Sequence, residues 1–193
     1  MFCQRLEDTM KPSANLEREA VQWCSKMRSV NDDINAIFAL ISPQLYADGI
    51  TSLNETKMEY PDHQGVQTWN SAFSGISVIV NRKTITHRDQ GGRAPWYDIL
   101  FSAGTYKDAY LDVPDLGASF RYKPGTVIAI CGRLLRHGVK SWEGGNRMCL
   151  AYFMRNNVLH RQGIQSAGWV EAALYQSQMS SGYLARHAGI GTI

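Results

Sequence analysis

Apolar spacing changes character near Ser74. Before it, apolar residues recur at helical intervals: Leu16, Ala20, Trp23, Cys24 and Met27 share one face, with Glu17, Arg18, Glu19 and Lys26 on others. This predicts a helix from Ser13, after a loose lead-in over residues 1–12. Asn31-Asp32-Asp33 reads as a break and N-cap for a second helix that buries Ile34, Ile37, Phe38 and Ile41. Ser42-Pro43 opens a short third piece through Tyr46, and Asp48-Gly49 ends it. Residues 50–70 are polar and irregular, and predict a loop on the rim of a cleft. His63 falls in that loop, where a solvated side chain is expected rather than a ligand.

After Ser74 the runs become short and β-prone. Candidate strands are Gly75 to Lys83, Trp96 to Phe101, Ala109 to Val113, Ser119 to Tyr122, Thr126 to Ile130 and Arg147 to Met154. Lys123-Pro124-Gly125 supplies a turn with Pro and Gly at its central positions. Gly-rich loops separate others, at Gly91-Gly92 and Gly144-Gly145. Many short strands with regular turns predict a sandwich or barrel, and flanking helices make the class α+β with a jelly-roll core. Trp169, Ala172, Ala173 and Met179 fit a C-terminal amphipathic helix with Ser166 near its cap. Beyond Ser180 the chain is small and polar, and a mobile tail is expected.

A length of 193 residues suits one domain. The expected division is helical support over 1–50, a β core over 70–157 and a C-terminal helix and tail over 158–193. The net charge of +3 permits nucleic-acid binding without requiring it. Cys3, Cys24, Cys131 and Cys149 form no C-x-x-C pair, which argues against a zinc knuckle or a thioredoxin-like motif. No apolar run reaches the roughly 18 residues of a membrane span. Acidic residues at positions 7 and 8 stand where a signal peptide needs an apolar core. These features predict an intracellular, reduced protein with buried or inert thiols.

The chemistry gathers at Asn81-Arg82-Lys83-Thr84-Ile85-Thr86-His87-Arg88-Asp89. Residues two apart on an extended chain share a face, so His87 and Asp89 can reach one ion. His137 follows fifty residues later, behind a turn and an apolar strand that can return its imidazole to the first pair. Two His and one carboxylate with open positions suit non-haem Fe(II). An H-x-D pair alone is weak, and a surface pair at a loop entrance is the plain alternative. Arg147 adds weight: it opens an otherwise apolar strand, and a desolvated guanidinium calls for an anion such as a dicarboxylic co-substrate.

His87-Arg88-Asp89, His137, Arg147 and the strand Asn146-Arg147-Met148-Cys149-Leu150-Ala151-Tyr152-Phe153 together resemble Fe(II)/2-oxoglutarate dioxygenases. More narrowly, they resemble the TET/base-J-binding-protein branch, over about residues 70–157. The resemblance implies a double-stranded β-helix, a distorted jelly roll open at one end. It implies Fe(II) on His87, Asp89 and His137, with 2-oxoglutarate held by Arg147 and O2 as oxidant. It implies hydroxylation of a methyl group on a nucleic-acid base such as 5-methylcytosine or thymine, with the nucleus as one location. Phe153 matches an aromatic that stacks on a flipped base. Arg93, Arg155 and Asn81 are further substrate-binding candidates, and Arg82, Lys83 and Arg88 could grip phosphates. Gly92 and Arg155 depart from the base-contacting residues of the branch. That departure keeps open the same chemistry on a protein side chain or a small metabolite. A non-catalytic jelly-roll binding module is the alternative outside the enzyme class.

Overall fold

The structure, a computed structural model, describes residues 2–3, 11–16 and 19–179. It divides into two compact units. One takes the described residues up to Gly75 and from Arg155 onward, the other Ile76–Met154.

The first unit is mostly helical. β1 (Phe2–Cys3) pairs antiparallel with β2 (Lys11–Pro12), within the stretch expected to be a loose lead-in. A 3-10 turn (Ala14–Leu16) leads to α1 (Glu19–Lys26), α2 (Arg28–Ile41), α3 (Pro43–Glu59) and α4 (Gln64–Thr68). After the second unit come α5 (Asn156–Arg161) and α6 (Ala172–Gln178). Phe38 is fully buried, stacked on Phe73 at 4.2 Å and edge-on to Tyr46 at 6.2 Å.

Several boundaries differ from expectation, each because tertiary bonds outweigh local preference. Asn31-Asp32-Asp33 lies inside α2 instead of capping it. Its polar side chains are used on a later segment. Asn31 Nδ2 donates to Asn70 Oδ1 (2.8 Å), Asp32 accepts from Asn70 Nδ2 (3.0 Å), and Asn35 bonds both the Asn70 carbonyl and the Ala72 N–H. Similarly, α3 runs through Asp48-Gly49 to Glu59. Asp48, Ser52 and Thr56 recur at i, i+4 and form a buried polar stripe on this helix. The chain after α5 lies on that stripe: Ala167 N–H donates to Asp48 (3.1 Å), and Gln162 bonds Ser52 and Thr56.

Gly49 is needed there for space. A Cβ at this position would overlap the carbonyl of Ala72. Alanine is the better helix former, yet Gly49→Ala is expected to destabilise the protein by about 1–3 kcal/mol through overpacking. A lower urea midpoint with unchanged slope would register it.

The loop expected over 50–70 is thus largely helical. His63 caps α4 by accepting from the Val66 N–H (3.3 Å). α5, which sequence reading missed, buries Val158 and Leu159. The C-terminal helix is shorter than expected: Trp169 lies outside α6 and is exposed, Ser166 is not its cap, and α6 buries nothing. The expected tail beyond Ser180 lies outside the described residues. Among those residues no helix is long and apolar enough to cross a membrane. Cys24, Cys131 and Cys149 are free and buried.

The second unit holds β3 (Gly75–Val80), β4 (Thr84–His87), β5 (Asp98–Gly104), β6 (Tyr110–Val113), β7 (Ala118–Arg121), β8 (Val127–Ile130), β9 (His137–Val139) and β10 (Arg147–Phe153). They form two four-stranded sheets, ordered β3-β10-β5-β8 and β4-β9-β6-β7. The registered pairs are antiparallel. Both sheets supply the core, through Leu100 and Cys149 from one and Leu111, Val113 and Val139 from the other. Tyr122 packs among them, fully buried.

The long first strand expected from Gly75 to Lys83 breaks at Asn81. Its φ of 48° is left-handed, which asparagine tolerates better than most residues. The break sends the chain from one sheet to the other and places His87 at the end of β4, with Arg88 and Asp89 just beyond it.

Candidate metal centre

His87 ends β4 and His137 begins β9, and the two are direct cross-strand partners. The register shifts between Thr84 and His87, a bulge-like irregularity of the kind that re-aims side chains. Gly138 permits the close approach opposite it: a Cβ there would lie 2.7 Å from the Thr84 carbonyl oxygen. The two imidazole rings are 4.7 Å apart. Asp89 faces both, its Oδ1 3.2 Å from His87 Nε2 and its Oδ2 3.6 Å from His137 Nε2. One ligand atom from each residue lies within 4.8 Å of the others, a grouping that could hold a metal ion.

Each imidazole is oriented the same way. His87 Nδ1 faces the carbonyl of Ile85 (2.9 Å), and His137 Nδ1 faces that of Leu135 (3.1 Å). A carbonyl can only accept, so the proton belongs on Nδ1 and the Nε2 lone pair is left for an ion. Asp89 is fixed from its backbone, whose N–H donates to the Gly132 carbonyl (2.9 Å). His137 is buried, while the His87 and Asp89 side chains are more than a third exposed. The site therefore has a closed wall and an open face.

His87, Asp89 and His137 line a cleft together with Arg147, Arg82 and Tyr122. Arg147 is 2 % exposed, and its Nε and Nη1 find no hydrogen-bond partner among the described residues. Its guanidinium lies 5.4 Å from the Tyr122 ring centre and 5.8 Å from that of Trp142. Aromatic faces favour a cation but cannot accept its N–H bonds in the plane. Burial pushes the Tyr122 phenol well up, and its Cys149 neighbour adds to this. Burial likewise raises the Cys149 thiol. Both groups stay neutral, so neither offers Arg147 an anion.

The other expected site residues are distributed differently. Asn81 is committed to the backbone of Arg147: its N–H donates to the Arg147 carbonyl, and its Oδ1 accepts from the Arg147 N–H, each at 2.8 Å. Its Nδ2 donates to Asn146 (2.9 Å), so its side chain helps to hold the arginine strand. Arg88 is also engaged. Its Nε donates to the Leu134 carbonyl (2.8 Å) and its Nη2 to Asp115 (3.3 Å). Bonds from Arg136 hold the Asp115 carboxyl down at about 2. Arg82, Lys83 and Arg93 are exposed. Phe153 closes β10, half-buried. Arg155 belongs to the other unit, where its N–H donates to Ser74 Oγ (2.8 Å).

Sequence reading missed Tyr122, Trp142, Asp115 and the two orienting carbonyls. The carbonyls carry a signal, since each stands two residues before a ligand histidine. Tyr122 and Asp115 come from sites remote in the chain and carry none; Trp142 lies five residues from both His137 and Arg147 but outside any motif.

Against known proteins, residues 5–156 match the Tet_JBP family, described as the oxygenase domain of the 2OGFeDO superfamily. The match begins well before the stretch whose motifs carry the resemblance. No curated protein matches the chain. Among solved structures, NgTET1 in complex with 5mC DNA is similar, with a TM-score of 0.64 and 20% identity. The alignment covers 81% of this chain and 60% of the NgTET1 chain. At that identity the likeness speaks for the fold.

Proposed function

Because the chain belongs to the Tet_JBP family, the oxygenase domain of the 2OGFeDO superfamily, we propose that it is a Tet-like Fe(II)/2-oxoglutarate-dependent dioxygenase that hydroxylates a methyl group on a nucleic-acid base. The observation that carries this is Arg147, a buried cation with two nitrogens that lack a partner among the described residues, in the cleft that also holds His87, Asp89 and His137. A buried guanidinium left without an anion is costly, and a carboxylate bound to its fork removes that cost.

The residues fit both groups. His87, Asp89 and His137 offer two imidazole nitrogens and one carboxylate, a set suited to non-haem Fe(II) with positions left open. Arg147 would take the distal carboxylate of 2-oxoglutarate. Bound iron would supply the activation of O2, coupled to loss of CO2 from 2-oxoglutarate, and with it oxidation of a C–H bond. The protein's own part is positioning. Ile85 and Leu135 fix the imidazole tautomers, Asn81 pins the strand that bears Arg147, and the buried wall around His137 keeps water from one side. Successive strands alternate between the two sheets except at the β6–β7 hairpin, an order that supports a double-stranded β-helix core.

The nucleic-acid base rests on the family and on the DNA-bound state of NgTET1. Phe153, at the end of the arginine strand, would stack on the flipped base, with Arg82, Lys83 and Arg93 as phosphate contacts. A protein side chain or small metabolite is the second reading, favoured by Gly92, which offers no side chain to contact a base. A non-catalytic module gives no use to the two Arg147 nitrogens that lack a partner among the described residues.

The test is turnover of 2-oxoglutarate with methylated DNA, with methylated RNA and without substrate, followed by mass spectrometry of the bases. Oxidised base that depends on Fe(II) and is absent with His87→Ala is expected. Consumption of 2-oxoglutarate without any oxidised base would move the assignment to the second reading.

A further inference from the structure

We propose that Asp115 is a positioning residue for the metal centre: its carboxylate clamps the two ligand-bearing segments together through Arg88 and Arg136. The inference rests on the reading of His87, Asp89 and His137 as metal ligands. Arg88 stands between two of those ligands, and Arg136 immediately precedes the third. Asp115 holds both arginines. Its Oδ1 accepts from Arg136 Nε (2.8 Å) and lies 2.6 Å from Arg136 Nη2. Its Oδ2 accepts from the Arg136 backbone N–H (2.7 Å) and from Arg88 Nη2 (3.3 Å).

The backbone bond matters most for geometry. It fixes the peptide that leads into His137, as no contact with a mobile side-chain tip could. Arg88 then joins the segments a second time, through Nε to the Leu134 carbonyl (2.8 Å). The Asp89 N–H to the Gly132 carbonyl makes a third tie (2.9 Å). Without the carboxylate, the arginines beside the ligands would repel each other, and the Arg136 N–H would lose its acceptor.

The turn that carries Asp115 is itself stiff. Asp115 sits in a 3-10 turn, Pro114–Leu116, between β6 and β7. Pro114 fixes the first torsion, and Gly117 closes the turn at φ 62° with its N–H on the Pro114 carbonyl (3.0 Å). A rigid turn can impose its position on two neighbours. Asp115 is not itself in the ligand grouping, so it acts only through the two arginines.

Co(II) provides a visible-band probe for the test. The full chain is titrated with Co(II) as wild type, Asp115→Asn, Asp115→Ala and Arg88→Gln, and the metal-free forms are melted in parallel. Asp115→Ala is expected to weaken Co(II) binding, by less than the roughly 10–100-fold that loss of a group bonded directly to a ligand costs, with an altered band shape. Asp115→Asn keeps one acceptor and should fall between it and wild type. Where Asp115→Ala does not fold, Asp115→Asn and Arg88→Gln carry the comparison. Folded variants that bind Co(II) like wild type with the same band, even with a lowered melting temperature, would reduce Asp115 to a surface ion pair and overturn the clamp. Wild type that fails to bind Co(II), or His137→Ala that binds it unchanged, would instead overturn the ligand reading and the clamp with it.

Discussion

Replacing His87 by alanine is expected to abolish the weak visible charge-transfer band that the wild-type protein gives with Fe(II) and 2-oxoglutarate under anaerobic conditions. The loss should exceed the roughly 10–100-fold that an outer partner is worth, since a ligand itself is removed. His87 is the better of the two histidines for this test. Its side chain is 38% exposed and ends an edge strand, so alanine there leaves the core intact. His137 is 4% exposed, and alanine there also opens a cavity. A circular dichroism spectrum and melt that match wild type, combined with a lost band, would assign the effect to the ion. The same band in wild type and His87→Ala would remove the metal centre from this cleft.

Arg147→Lys is expected to weaken 2-oxoglutarate binding by roughly 30-fold, about 2 kcal/mol, the worth of hydrogen bonds to a charged group. Three features of the position make the substitution severe. The nitrogens that lack a partner, Nε and Nη1, belong to a planar fork, and an ammonium is a single point donor. The guanidinium also has the Tyr122 and Trp142 rings beside it, and a lysine on a flexible stem does not stack in the same way. Finally, the residue is 2% exposed, so water cannot substitute for the missing contact. Titration of the Fe(II) band with 2-oxoglutarate measures the affinity. Unchanged affinity would count against Arg147 as the anchor of the co-substrate.

Where the sequence was informative, the reason is periodicity or local chemistry. Strands β6, β7, β8 and β10 begin and end within a few residues of their expected limits, because turn residues punctuate them. His87, Asp89, His137 and Arg147 stood out because a polar or charged group in an apolar strand needs an explanation. The helices were harder. Asn31, Asp32, Asp48 and Gly49 have the local character of caps and breaks, yet each lies inside a helix. Their partners, Asn70, Ala72 and Ala167, are tens of residues or more away, and no local pattern announces them. The same holds for Asp115, whose two arginines lie 27 and 21 residues from it. Asn81 was legible as important, while its left-handed backbone and its bonds to Arg147 are visible only in three dimensions.

The cross-strand pairing of His87 with His137 has a thermodynamic consequence. Fifty residues of chain separate the two imidazoles, and closing a flexible loop of that length costs about 3.5 kcal/mol from its length alone. Here the ladder between β4 and β9 has already closed it, so an arriving ion orders little chain. The entropy change of metal uptake should then be governed by the water the ion sheds. Titration calorimetry at several temperatures would show little of the heat-capacity change that marks folding coupled to association.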